Sequence, residues 1–239
     1  MTTDMTTPAP DGTGVVLLFD IDGTLLDARG AGRRALERAV EEWSGRSLGS
    51  FRVHLGGRTD LDIFRELVGE LGIPYPAPPD RRRVLRRYLE LLELELQRTP
   101  PFVHPGVASL IERPGFHHGL VTGNVRPGAE LKLEAAGLGG QFSFGAYGSD
   151  HEDRNLLVPL ALHRLWRGFG IRIPPERTVV IGDTEKDIEC ARAAGCHVLL
   201  VGTGFGDYAK LAPEADAALP DLGDVNDVVQ ILARLTARE

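Results

Sequence analysis

Asp20 and Asp22, one residue apart in "LLFDIDGTLLD" (residues 17 to 27), close a run of apolar side chains. Two carboxylates so placed raise each other's proton affinity unless a cation or hydrogen-bond donors offset the charge. A carboxylate at the carboxyl end of a parallel strand stands where open α/β sheets hold their ligands. There Asp20 is able to attack phosphorus, and Asp22 reaches the same space to move a proton. Gly23 and Thr24 form a turn whose N–H groups are able to hold a phosphoryl oxygen. The plainer alternative for Asp-Gly is an Asx or capping turn.

Two further clusters bear on that choice. "VTGN" brings Thr122, Gly123 and Asn124, a hydroxyl, a flexible backbone and an amide, to the end of a strand before a helix. "GDTEKD" brings Asp183 to the end of another, with Asp187 on the first turn of the following helix. Asp20, Asp183 and Asp187 make a hard-oxygen set suited to Mg²⁺. Acids at helix N-termini also occur without metal, because they favour the helix dipole; capping alone does not explain polar clusters at three strand ends. A cation must also hold the transferring group. Arg154, in "HEDRN" at a loop-to-helix entry, is preferred to Lys132, in "GAELKLEAAGL", whose stem is able to snorkel along a helix.

Strand-length apolar runs at Val15 to Phe19, Gly119 to Val121, Phe142 to Phe144, Thr178 to Ile181 and Cys196 to Val201 have to position these groups. They alternate with helical patterns, which predicts an α/β fold: a Rossmann-like parallel sheet with helices on both faces. Residues 28 to 100 break the alternation with helical apolar spacing throughout, so an all-helical domain is expected there. The α/β core then comprises residues 14 to 27 and 101 to 239, after a frayed leader of residues 1 to 13.

The insert, counted over residues 29 to 98, carries 14 Arg against 11 acids in a 239-residue chain of net charge −7. Most of those arginines face water, and a smaller share is expected to face an anionic substrate. The overall acidity argues against nucleic acid or an anionic membrane as partner. The absence of a long apolar run argues against a membrane span, and a cytoplasmic protein is expected. Cys190 and Cys196 lack disulfide or zinc spacing and read as buried thiols. "VGTGFGDY" lacks the third glycine of a dinucleotide loop and reads as a loop beside the site.

"DIDGT", "VTGN" and "GDTEKD", in this order over roughly residues 14 to 235, resemble the haloacid dehalogenase superfamily of phosphohydrolases, with a helical cap inserted after the first motif. The resemblance is nearest to phosphoglycolate-phosphatase-like enzymes. It implies that Asp20 is nucleophile and Mg²⁺ ligand, and that Asp22 is the acid/base with its carbonyl on the metal. Thr122 would bind phosphoryl oxygens, Asp183 would ligate Mg²⁺, and Asp187 would ligate it or orient its waters. The third motif departs from the family's "KP" context, so Arg154 in that role is an inference. Asp22 favours phosphoryl transfer over carbon–halogen cleavage. The function expected is hydrolysis of a small phosphorylated metabolite by a monomer or homodimer. A sugar phosphomutase, or a phospho-accepting signalling protein, is the alternative. In the insert, "HLGGRTD" (residues 54 to 60) combines flexibility with cationic and hydrogen-bonding groups, and Arg58 is the expected contact to a substrate anion.

Overall fold

The computed structural model describes residues 14 to 51 and 56 to 237. The expected leader and His54 lie outside them. Six parallel strands form the sheet: β1 (Val15–Phe19), β4 (Phe116–Thr122), β5 (Phe144–Tyr147), β6 (Thr178–Gly182), β7 (His197–Val201) and β8 (Ala217–Leu219), in the order β5-β4-β1-β6-β7-β8. The Rossmann-like α/β fold is the one expected.

Alternation along the central strands explains the layers. Val15, Leu17 and Phe19 point into one apolar cluster, with Val179, Ile181, Leu199 and Val201. Val16 and Leu18 point into the other, with Val180, Val198 and Leu200. Burial on both faces is what an uninterrupted apolar strand requires. Helices α4 (Val107–Ile111), α5 (Arg126–Ala135), α6 (Leu157–Phe169), α7 (Glu185–Ala193), α8 (Tyr208–Leu211) and α9 (Val225–Leu235) occupy the connections and the C-terminal end.

The strand order carries a switch. From β1 the chain continues to β4 and β5 toward one edge, then returns to β6 and runs out to the other. The carboxyl ends of β4, β1 and β6 therefore border one crevice, the position where such sheets bind ligands.

Between β1 and β4 lie α1 (Ala31–Ser44), α2 (Asp60–Glu70) and α3 (Pro78–Arg98), flanked by a two-residue antiparallel ladder of β2 (Leu26–Asp27) and β3 (Phe102–Val103). Leu36, Val40, Phe64, Leu67, Tyr88 and Leu92 of these helices share the apolar cluster that Phe19 enters, so the insert is packed continuously against the core. Strand boundaries differ from expectation: β4 begins at Phe116 and not at Gly119, β6 runs on to Gly182, and β7 begins at His197. The run expected at residues 142 to 144 begins as a strand only at Phe144 and includes Gly145, where a Cβ would lie 2.8 Å from Leu120 backbone oxygen. The edge strand β8 is too short to show a period.

Among the described residues no helix is long and apolar enough to cross a membrane. Both cysteines are free and buried, and burial pushes each thiol up to about 12. Only thiolate is alkylated at an appreciable rate. Iodoacetamide at pH 8 is therefore expected to leave Cys190 and Cys196 unmodified in the folded protein and to modify both in guanidinium chloride, as read by intact mass. Rapid modification of the native protein would contradict this packing.

Candidate active site

β1 delivers Asp20, whose N–H donates to the Ile181 carbonyl of β6 at 3.0 Å and whose side chain is buried. The chain then turns through Gly23 at φ +86°. A Cβ there would meet Asp183 Oδ2 at 2.6 Å, so the turn needs glycine for both conformation and space. The N–H of Gly23 donates to the Leu26 carbonyl at 2.9 Å, and Thr24 Oγ1 donates to Asp183 Oδ1 at 3.2 Å. This turn thus steadies itself and Asp183 through the two groups for which phosphate contacts were expected.

Asp183 follows the last residue of β6. Its Oδ2 accepts from the Phe205 N–H at 2.7 Å, and Thr203 Oγ1 donates to the Gly23 carbonyl at 2.6 Å. A Cβ on Gly204 would lie 1.9 Å from Asp183 Oδ2, which is why "GTGFG" is glycine-rich: its backbone lies against the acid. Asp187 closes a capping box at the start of α7, accepting from Thr184 N–H at 3.0 Å and Thr184 Oγ1 at 2.7 Å. Its other oxygen accepts from Arg154.

Oxygens of Asp20, Asp183 and Asp187 lie within 4.8 Å of one another, all three residues buried. Burial pushes the Asp20 carboxyl up to about 6; Arg154 pulls it back, and the Asp187 and Asp22 charges push it further. Asp183 is held well above the usual range by burial, and then by the charges of Asp187 and Asp20. Arg154 is buried and lies 3.3 Å from Asp20 Oδ2 while pairing with Asp187. One guanidinium against three buried acids leaves a negative excess, and the donor set is entirely hard oxygen. These residues fit a small divalent cation such as Mg²⁺.

Asp22 belongs to a second cluster. Its Oδ2 accepts from Lys132 Nζ at 2.6 Å and from Asn124 Nδ2 at 2.8 Å. Lys132 also donates to Asn124 Oδ1 at 2.6 Å, and Asn124 Nδ2 donates to Thr122 Oγ1 at 2.8 Å. Arg154 and Lys132, weighed as rivals, are both in the site on different acids. Arg154 is the one beside Asp20.

The insert covers this arrangement. Asp60 N–H donates to the Gly123 carbonyl at 2.9 Å, and Arg154 Nη1 donates to the Gly57 carbonyl at 3.2 Å. Asp60 Oδ2 accepts from Val125 N–H at 2.8 Å and from the Tyr88 hydroxyl at 3.3 Å. Burial raises the Asp60 carboxyl, with Lys132 opposing the rise. A Cβ on Gly123 would stand 2.1 Å from the Arg58 carbonyl. Between insert and strand ends remains a cavity of about 80 Å³, bordered by Asp20, Asp22, Thr122, Asn124, Lys132 and Arg154 below. Arg33, Arg58, Asp60 and Ile63 border it from the insert. The Arg58 guanidinium is paired with Asp62 at 2.7 Å and with Glu66.

A family model described as haloacid dehalogenase-like hydrolase matches residues 16–195. The chain belongs to the haloacid dehalogenase-like hydrolases. Among curated relatives, the phosphoglycolate phosphatase of Vibrio cholerae is 27% identical over 224 residues, covering 91% of this chain and 98% of the relative. That of Shigella boydii is 26% identical, covering 87% and 89%. Among solved structures, CbbY from Rhodobacter sphaeroides in complex with phosphate superposes with a TM-score of 0.65 at 23% identity, covering 89% of this chain and 96% of that one. The β-phosphoglucomutase of Clostridium difficile gives 0.71 at 15% identity, covering 93% and 99%. These likenesses confirm the fold.

Within this haloacid dehalogenase-like hydrolase, three features escape a reading of the sequence. Asp60 stands in the quoted "HLGGRTD", but nothing local shows that its carboxylate caps the core helix α5. Lys132 has the spacing of an ordinary helix-face residue, and its bond to Asp22 spans 110 positions. Arg33 is one of the 14 insert arginines and carries no local signal.

Proposed function

We propose that this hydrolase is a Mg²⁺-dependent phosphatase that cleaves a small phosphate monoester through an aspartyl-phosphate on Asp20. The observation that carries the reading is the buried Asp20, a member of the three-acid cluster, which borders one cavity together with an Asp22 held by Lys132 and Asn124. The curated relatives named phosphoglycolate phosphatase support the reaction class.

Asp20 and Asp183, with the Asp22 carbonyl, would hold the metal, and Asp187 would ligate it or orient its waters. Bound there, Mg²⁺ supplies positive charge that neutralises the phosphoryl oxygens and the approach of one anion to another. A carboxylate oxygen of Asp20 forms a bond to phosphorus as the bond to the leaving oxygen breaks. Asp22 gives that oxygen its proton, so an alcohol departs. Asp22 then takes a proton from water as the water attacks phosphorus, and the phosphorus–Asp20 bond breaks to release inorganic phosphate. Arg154 and Thr122 hold phosphoryl oxygens, and Gly123, under the insert, lets the two parts close against water.

The test is phosphate release from a panel of small esters with Mg²⁺ and with a chelator. Release that requires Mg²⁺ is expected, together with a Mg²⁺-dependent rise in melting temperature that Asp183→Asn abolishes. Release unchanged by the chelator would overturn the metal assignment. Conversion of sugar phosphates without phosphate release would make the protein a mutase, and a long-lived aspartyl-phosphate without turnover would make it a signalling acceptor.

A further inference from the structure

Four cations border the cavity, and three are already committed to acids of the protein. Arg154 is paired with Asp20 and Asp187, Lys132 with Asp22, and Arg58 with Asp62 and Glu66. The fourth, Arg33, comes from the first turn of α1, a turn that contains no acid. Its Nε is buried without a hydrogen-bond partner, and among the described residues its guanidinium forms no ion pair. Asp27, an acid bordering the same cavity, turns Oδ1 onto the Arg29 N–H at 2.6 Å instead. An arginine that borders a cavity with its buried Nε unpaired lacks an acceptor of opposite charge.

Position says which part of a ligand supplies that acceptor. The groups that would receive the phosphoryl group, Asp20, Thr122 and Arg154, come from the strand ends and the loop before α6, whereas Arg33 comes from the insert. With phosphorus over Asp20, the leaving alcohol is the part that extends toward the insert. We infer that Arg33 is the specificity-determining residue of this chain, receiving a carboxylate carried by the leaving alcohol, so that the substrate is the phosphate ester of a short hydroxy acid. The planar fork of a guanidinium matches a carboxylate through two parallel hydrogen bonds. Ile63 and Leu36, also bordering the cavity, face the carbon skeleton of such an ester. This inference rests on the phosphatase reading for its turnover readout and stands apart from it in the binding readout below.

The turnover test compares 2-phosphoglycolate, which carries a carboxylate on the leaving alcohol, with ethyl phosphate, which carries none, and with ethylene glycol bisphosphate. In the wild-type protein kcat/KM is expected to rank the carboxylate ester first. Arg33→Met is expected to lower the ratio of kcat/KM for 2-phosphoglycolate over ethyl phosphate by about 10- to 100-fold, mostly through KM, the range for a lost charge-assisted hydrogen bond. Arg33→Lys, which keeps the charge and loses the fork, is expected to recover part of that ratio. An unchanged ratio, or an equal loss on both esters, would overturn the assignment. A bisphosphate preferred to the carboxylate ester would replace the carboxylate by a phosphate.

The binding test needs no turnover. Calorimetry of 2-phosphoglycolate with Asp20→Asn, against the Asp20→Asn, Arg33→Met double variant, is expected to show at least a tenfold weaker Kd in the double variant. Equal affinities would overturn the role of Arg33 whether or not the protein is a phosphatase. A difference in affinity beside a wild-type protein that hydrolyses no ester would retain Arg33 as anion receptor and overturn the phosphatase. Arg33 has no hydrogen-bond or ion-pair partner among the described residues, so its replacement breaks no polar contact there. Matching melting curves for the variants check that directly.

Discussion

Asparagine in place of Asp20 is expected to remove turnover by about 10⁴-fold or more while raising the stability of the metal-free protein at neutral pH. The first effect follows from the loss of the attacking oxygen. The second follows from the electrostatics of the buried cluster. Folding holds the Asp20 carboxyl up to about 6, above its ordinary value of 3.8, chiefly through burial. A group whose proton is held more tightly in the folded state stabilises that state fully at low pH, and the contribution fades as pH rises through about 6. Asp183, also raised, acts with the same sign. In a chelator the wild-type protein should therefore melt higher at pH 5 than at pH 7.5, with Asp20 accounting for about 1 kcal/mol of the difference between those two pH values. Asparagine, with no charge to bury, should flatten part of that slope. A lower melting temperature for Asp20→Asn at pH 7.5, or a slope equal to wild type, would contradict the account.

Arg154→Met should move stability the opposite way. Among the described residues Arg154 is the cation ion-paired with the cluster, and its loss leaves Asp20, Asp183 and Asp187 buried and uncompensated. Breaking a buried ion pair from one side costs about 3–5 kcal/mol, which in a protein of this size lowers the melting temperature by roughly 10 °C. Turnover should fall by about 10²- to 10³-fold, the range for one preorganised donor to a developing charge. The Arg154→Met, Asp20→Asn double variant should melt above Arg154→Met alone, because one of the orphaned charges is gone. A gain from Asp20→Asn no larger in the Arg154→Met background than in the wild type would show that Arg154 acts through the Gly57 carbonyl it also holds, and not through the acids.

The contrast between these two residues reflects what a linear chain reveals. "LLFDIDGT" is legible because one short segment contains both the buried strand and its turn, and the apolar run can only be a strand covered on both faces. Asp183 and Asp187 are legible for the same reason. The β2–β3 ladder and β8 are too short to show a period, and Gly145 resembles a turn although it lies in β5 to admit the Leu120 backbone. Site contacts that join distant segments leave no local trace. Arg154 meets Asp187 across 33 positions and Lys132 meets Asp22 across 110, and no spacing rule reaches that far. Arg58 was the more visible insert arginine, standing among glycines, yet it is Arg33, within a plain helical pattern, whose Nε is left without a partner.

The contact between the insert and the strand ends is drawn largely by main-chain atoms: Asp60 N–H on the Gly123 carbonyl, the Gly57 carbonyl on Arg154, and Gly123 against the Arg58 carbonyl. Substitutions at Arg33, Leu36 or Ile63 change the lining of the cavity and leave that seam intact. The same scaffold is therefore able to acquire a new substrate by altering a few insert side chains, with neither the chemistry below nor the way the two parts meet having to be reinvented. Glycine at 57 and 123 is the constraint that such divergence has to carry with it.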